Sequence, residues 1–204
     1  MVSASSLKIN NKCDQYVAPS QCTSGQLTLF PHLAPSPFKS PSQAGPSLMS
    51  LFLLAKLLAA TRANKAMSRA EVNFTPGNSA VAAFINLSNM FGYSVATELT
   101  GSGCADYVCN IASGCPVSGP GGSCVSPCCK DFDSCQGASS CPAGGRGDVG
   151  GGPGPQANFY KGACPNSYAW GDQDSDEPTQ NLGGYCKGDD IEVTLCPGKP
   201  SSKL

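Results

Sequence analysis

Residues 101–141 read GSGCADYVCNIASGCPVSGPGGSCVSPCCKDFDSCQGASSC and hold eight of the thirteen cysteines: Cys104, Cys109, Cys115, Cys124, Cys128, Cys129, Cys135 and Cys141. The run is rich in Gly and Ser and has few side chains able to form a core, so cross-links rather than packing must hold it. Cys164, Cys186 and Cys196 lie in the last third of the chain and Cys13 and Cys22 near its start, which predicts a tail folded back onto the block. Zinc ligation and disulfides compete for such a cluster. The chain has no C-x-x-C knuckle, and its single histidine, His32, lies far away in a Pro-rich stretch. The adjacent Cys128 and Cys129 suit two different loops better than one tetrahedral site. The reading is therefore a disulfide framework, without metal or cofactor, in a secreted, extracellular protein.

At 204 residues the length suits one domain. Charged residues make up 13%, Gly and Pro number 24 and 17, and the formal net charge is -1. Nothing basic is clustered, so composition gives no case for nucleic acid. Dispersed short apolar runs among many turn formers predict a mainly β, loop-rich protein. The opening MVSASSLKIN lacks the apolar core of a signal peptide. An apolar run does occur at residues 49–63, MSLFLLAKLLAATRA, too short to span a membrane and interrupted by Lys56. It reads either as an amphipathic helix with Leu53, Leu54, Leu57 and Leu58 on one side, or as a segment foreign to the fold, such as an unspliced insertion or a signal peptide after an internal start at Met49.

Along the chain, residues 7–29 predict a short strand, a turn and a second strand ending before Pro31, an edge hairpin. Residues 31–69 form a Pro/Ser linker followed by the apolar helix. AEVNF, SAVAAFINLS and GYSVATEL, within residues 70–100, read as core strands separated by TPGN and Gly92. Asn73-Phe74-Thr75 and Asn86-Leu87-Ser88 are sequons, marking Asn73 and Asn86 as glycosylation acceptors. Arg146-Gly147-Asp148 copies an integrin-binding tripeptide inside a Gly-rich loop and is read as chance. So is the terminal Ser202-Lys203-Leu204, a peroxisomal address, because that compartment is filled from the reducing cytosol. From Asn158 a loop leads to a terminal strand over residues 189–197.

That last region carries a likeness. Tyr160-Lys161-Gly162-Ala163-Cys164-Pro165-Asn166-Ser167-Tyr168-Ala169-Trp170, then Cys186, then Ile191-Glu192-Val193-Thr194-Leu195-Cys196-Pro197 strongly resembles the closing portion of thaumatin-like, pathogenesis-related proteins. Cys104, Cys109, Cys115, Cys124 and the Cys128-Cys129 pair follow that family's order. Ala70-Glu71-Val72 and the segment from Phe84-Ile85-Asn86 to Gly92-Tyr93 resemble its central strands, and Asn11-Lys12-Cys13 its first. The resemblance covers roughly residues 70–197. It implies an antiparallel thaumatin-like β-sandwich, incomplete here, with a disulfide-rich loop lobe. Residues 1–30 would supply N-terminal strands, 70–103 and 156–204 the sandwich core, and 104–155 the lobe, with 31–69 an atypical insertion where the family has further strands and four more cysteines.

The family's pairing implies Cys13 with Cys196, Cys104 with Cys186, Cys109 with Cys164 and Cys115 with Cys124. Cys128, Cys129, Cys135 and Cys141 would make two more bridges of open pairing, leaving Cys22 over. The long Cys13 to Cys196 closure is worth about 4 to 5 kcal/mol in the chain-entropy model. The resemblance also implies a secreted monomer with no membrane span, whose partner is cell-wall β-1,3-glucan, bound in a cleft between sandwich and lobe in defence or wall remodelling. By position Glu71 and Asp172 match two of the cleft's acids, while Asn86 and Phe91 stand where aspartates are usual and the cleft arginine has no counterpart. Tyr168, Trp170 and Phe91 are candidates for stacking on sugar rings. Glycoside hydrolysis needs one protonated and one ionised carboxylate across the bond, and with few charges left to separate Glu71 from Asp172 the expectation is binding without strong catalysis. The alternatives are an active endo-β-1,3-glucanase using Glu71 and Asp172, and a structural or inhibitory secreted protein. With His32 in a linker, a Ser/His/Asp triad is not expected.

Non-reducing peptide mapping of the protein from its native source is expected to recover Cys104 bridged to Cys186, Cys109 to Cys164, and one free thiol at Cys22. Free thiols throughout would remove the secretory assignment.

Overall fold

A period of two in the apolar residues sets the strands. The structure, a computed structural model, describes residues 6–14, 17–23, 26–31, 65–74, 81–112, 114–141, 151–188 and 190–204, with backbone alone over 17–23 and 26–31. The described chain is mainly β. Its strands are β1 (Ser6–Asn11), β2 (Val17–Thr23), β3 (Gln26–Pro31), β4 (Arg69–Phe74), β5 (Ala83–Ser88), β6 (Thr97–Gly101), β7 (Tyr107–Cys109), β8 (Ser167–Tyr168), β9 (Gly183–Cys186) and β10 (Asp190–Leu195). Two short helices, α1 (Ala157–Ala163) and α2 (Gln173–Asp176), occupy the segment expected to be loop. In α1 the apolar Ala157 and Tyr160, three apart, bury one side.

The strands make two sheets, one ordered β1-β10-β6-β7 and the other β2-β3-β4-β5-β8, with β9 also paired to β5. Both are mixed, which corrects the antiparallel expectation: β1 runs parallel to β10 and β5 parallel to β8. The N-terminal reading is corrected too. The hairpin is β2 with β3 and joins the second sheet through β4, whereas β1 leaves it for the first sheet. Ala70, Val72, Ala83, Ile85 and Leu87 face Leu99, Tyr107, Ile191, Val193 and Leu195 in one shared core. Each large apolar side chain buried there contributes roughly 1.5–3 kcal/mol.

The strand expected to begin at Gly92 begins at Thr97. Gly92 has φ +98, and a Cβ on it would lie 2.4 Å from the Cys124 carbonyl oxygen, so only glycine fits this turn. Tyr93 then exchanges both backbone hydrogen bonds with Cys124, and the Ser68 hydroxyl accepts from the Ser94 and Val95 amides. These contacts draw the chain away from the sheet and onto the cysteine-rich segment.

Six disulfides are formed: Cys13–Cys196, Cys104–Cys186, Cys109–Cys164, Cys115–Cys124, Cys128–Cys141 and Cys129–Cys135. The first four are the pairs the resemblance implies. Cys22 lies in β2 opposite Leu27. The cysteine-rich segment is not a separate lobe throughout, because β7 pairs with β6 inside the first sheet. Farther along, the buried Tyr160 hydroxyl donates to the Val125 carbonyl at 2.6 Å, fastening α1 to this segment, and burial pushes the phenol's pKa up. The C-terminal residues cover the edge of β7: the Ser202 amide donates to the Val108 carbonyl and the Val108 amide to the Ser202 hydroxyl. Among the described residues no helix is long and apolar enough to cross a membrane. The linker, the apolar run at 49–63, Thr75 of the first sequon and the Arg146-Gly147-Asp148 tripeptide lie outside them.

Glu192 joins β10 to β1. It pairs with Lys8 at 3.0 Å and accepts from Asn10. The hydrogen bond from Lys8 holds its carboxyl below the usual range. A depressed folded-state value stabilises above the unfolded value and is lost as pH falls through the folded one. Wild type is therefore expected to melt higher than Glu192→Gln at neutral pH, with the gap in Tm closing in acid. A gap constant with pH would show that the carboxylate's charge is not the source.

Candidate functional site

The period of two that buries one side of β4 and β5 sends the alternate residues to the other side of the sheet. On β4 these are Arg69, Glu71 and Asn73, and on β5 Ser88, Asn86 and Phe84, directly opposite in register. β9 extends the row, with Gly183 opposite Asn86 and Tyr185 opposite Phe84, and β8 places Tyr168 beside Ser88. The outer face thus has three rungs: Arg69, Ser88 and Tyr168; Glu71, Asn86 and Gly183; Asn73, Phe84 and Tyr185. Successive rungs lie about 7 Å apart.

Arg69 organises the first two rungs. Its guanidinium lies 3.7 Å over the centre of the Phe91 ring and 3.6 Å from the Glu71 carboxylate, an ion pair longer than a hydrogen bond. Burial pushes the guanidinium's pKa down and the charge of Glu71 opposes that shift, and Arg stays protonated throughout the working range. The sequence reading passed over Arg69; its signal was the alternation Arg69-Ala70-Glu71 on a strand, which puts opposite charges on one face. Among the described residues, Arg69 Nε, Asn86 Oδ1 and Ser88 Oγ are buried without a hydrogen-bond partner. A buried polar atom left unpaired costs about 1–3 kcal/mol; these three lie beneath the face, whose accessible polar groups are the Arg69 and Glu71 side chains and the exposed Asn73.

The expected site residues fall into two groups. Glu71, Asn86, Phe91 and Tyr168 belong to or adjoin this face. Trp170 does not offer a stacking surface: it is 3% exposed, and its indole N–H donates to Asp176 at 2.8 Å. That hydrogen bond ties it instead to the last residue of α2. Asp172, also buried, lies in the turn before α2, where its carbonyl accepts from the Ser175 and Asp176 amides. Glu71 is thus carried by β4 and Asp172 by the turn before α2. Asn86 is corrected as a glycosylation acceptor, since at 6% exposure between β4 and β9 it has no room for an attached glycan; Asn73 is exposed. Among the described residues no group of three or more His, Cys, Asp or Glu side chains could hold a metal ion.

No protein-family model matches the chain.

Arg69→Ala removes both the ring contact and the partner of Glu71. A loss of about 1–2 kcal/mol in denaturant unfolding is expected, with Arg69→Lys intermediate because an ammonium cannot stack as a planar group does. An Arg69→Ala protein as stable as wild type would dismiss both contacts as structural elements.

Proposed function

We propose that this is a secreted, thaumatin-like pathogenesis-related protein that binds cell-wall β-1,3-glucan, in defence or wall remodelling, on the outer face of the β4-β5-β9 sheet. Support comes from the likeness of the C-terminal half in sequence and from the six disulfides, which suit an oxidising compartment. The observation that carries the reading is the row in which Arg69, stacked on Phe91, faces Glu71 while Asn86 and Ser88 keep unpartnered oxygens. Sugar hydroxyls both donate and accept, so the accessible parts of Arg69, Glu71 and Asn73 on this row can meet them.

Binding is favoured over hydrolysis by the use made of the two carboxylates. Glu71 is engaged with a cation, the arrangement of a group that holds a ligand rather than one that hands over a proton. Asp172 is buried and its turn serves to start α2, which leaves it little exposed to meet a water across a glycosidic bond.

A pull-down on insoluble β-1,3-glucan combined with a reducing-sugar assay tests the reading. Retention on glucan with no sugar release is expected. Release abolished by Glu71→Gln would establish the glucanase instead, and neither retention nor release would leave a structural or inhibitory secreted protein.

A further inference from the structure

Tyr185 is 66% exposed, while its neighbours in β9, Gly183 and Gly184, carry no side chain. The three residues together make a pattern. A Cβ on Gly184 would meet the Tyr107 hydroxyl 2.7 Å away, on the core side. One on Gly183 would lie 2.5 Å from the Phe84 ring and 3.1 Å from the Asn86 Cβ, on the outer side. The glycine at 183 therefore makes room for the Phe84 ring, which lies across β9 at this point, and Tyr185 stands exposed beside that ring.

The tyrosine is also held. Its ring centre lies 4.9 Å from that of Phe84, at a tilt of 57°, within the range of favourable aromatic pairs. Its backbone pairs with Phe84 across the β5-β9 ladder, and the next residue, Cys186, is bridged to Cys104. A fixed aromatic side chain loses little entropy when a ligand settles on it. One rung away lies the partly exposed Glu71 carboxylate, a hydrogen-bond acceptor, and in Tyr185's own rung the exposed Asn73. A ligand that fits must present an apolar face to Tyr185 and hydroxyl donors to its neighbours. A negatively charged chain is disfavoured by Glu71, and a purely apolar one would leave the acceptors unpaired. A neutral hexose ring has the required faces: C–H groups on one side, hydroxyls at its rim, and a length comparable to the separation of the rungs.

We propose that Tyr185, backed by Phe84, is a stacking subsite for a hexose of a neutral polysaccharide, lengthening the Glu71 and Asn86 row by one sugar. The assignment rests on the reading of this face as a carbohydrate-binding one, and goes beyond it in naming the residue that sets how many sugars are held.

The test uses the full disulfide-bonded chain and titrates β-1,3-gluco-oligosaccharides of increasing length by calorimetry, for wild type, Tyr185→Ala and Tyr185→Phe. Tyr185→Ala is expected to weaken binding of the longer oligosaccharides about tenfold and to lose the gain in affinity that comes with length, while Tyr185→Phe retains both. Because the side chain is exposed, unchanged far-ultraviolet circular dichroism and a Tm close to wild type are expected to show the fold intact. Glucan binding indifferent to Tyr185→Ala overturns the subsite and leaves the glucan reading standing. If wild type ignores β-1,3-glucan but binds cello-, chito- or manno-oligosaccharides in a manner sensitive to Tyr185→Ala, the subsite stands and the glucan reading falls. Binding to none of these sugars overturns the subsite.

Discussion

Two disulfides position everything on the outer face. Cys104–Cys186 ties the β6-β7 connection to the end of β9, and Cys109–Cys164 ties β7 to the end of α1, just before β8. β8 and β9 share one edge of β5, β9 against its first half and β8 against its second. Each is a strand of four residues or fewer, too short to hold its place by ladder hydrogen bonds alone. The covalent links to the other sheet hold them there. A chain with this much Gly and Pro has a large conformational entropy to overcome, and cross-links that restrict the unfolded state are the economical means of doing so.

The polar side of β5 follows from that placement. With β4 on one edge and β8 and β9 on the other, Asn86 and Ser88 are covered by neighbouring strands although they point away from the core. Covered polar atoms need partners, and here Asn86 Oδ1 and Ser88 Oγ have none. Arg69 stands over the same region, held by a ring on one side and a carboxylate on the other. The ordering of charge, amide and aromatic residue along three rungs gives that face a direction.

Elsewhere the fold guards its edges. The C-terminal residues lie along β7, with Ser201 and Ser202 hydroxyls accepting from the Asn110 and Val108 amides and Lys199 paired to the buried Glu98. An unpaired strand edge invites association with another chain, and this segment occupies the one beside β7. Gly92 performs a different service: its positive φ turns the chain off β5 so that Tyr93 meets Cys124, joining the cysteine-rich segment to the strands.

What the sequence determined by itself was local and covalent in character. The crowding of cysteines without histidine pointed to disulfides, the short apolar runs around Val72, Ile85 and Leu87 between TPGN and Gly92 marked core strands, and the likeness near Cys164 and Cys196 implied which cysteines meet. Glu71 and Asn86 were singled out as site candidates only by the likeness, which matches them to cleft positions; the strand register puts them on one face, opposite each other. Tertiary structure alone decided the rest. Parallel pairing of β1 with β10 depends on two segments from opposite ends of the chain, and no local pattern encodes direction. Trp170 and Asp172 looked available and are buried, because exposure is set by what packs above a residue. Arg69 became important only once Phe91, in the turn after β5, was brought beneath it, and Tyr185 only once β9 lay against Phe84, since both depend on contacts between segments remote in sequence.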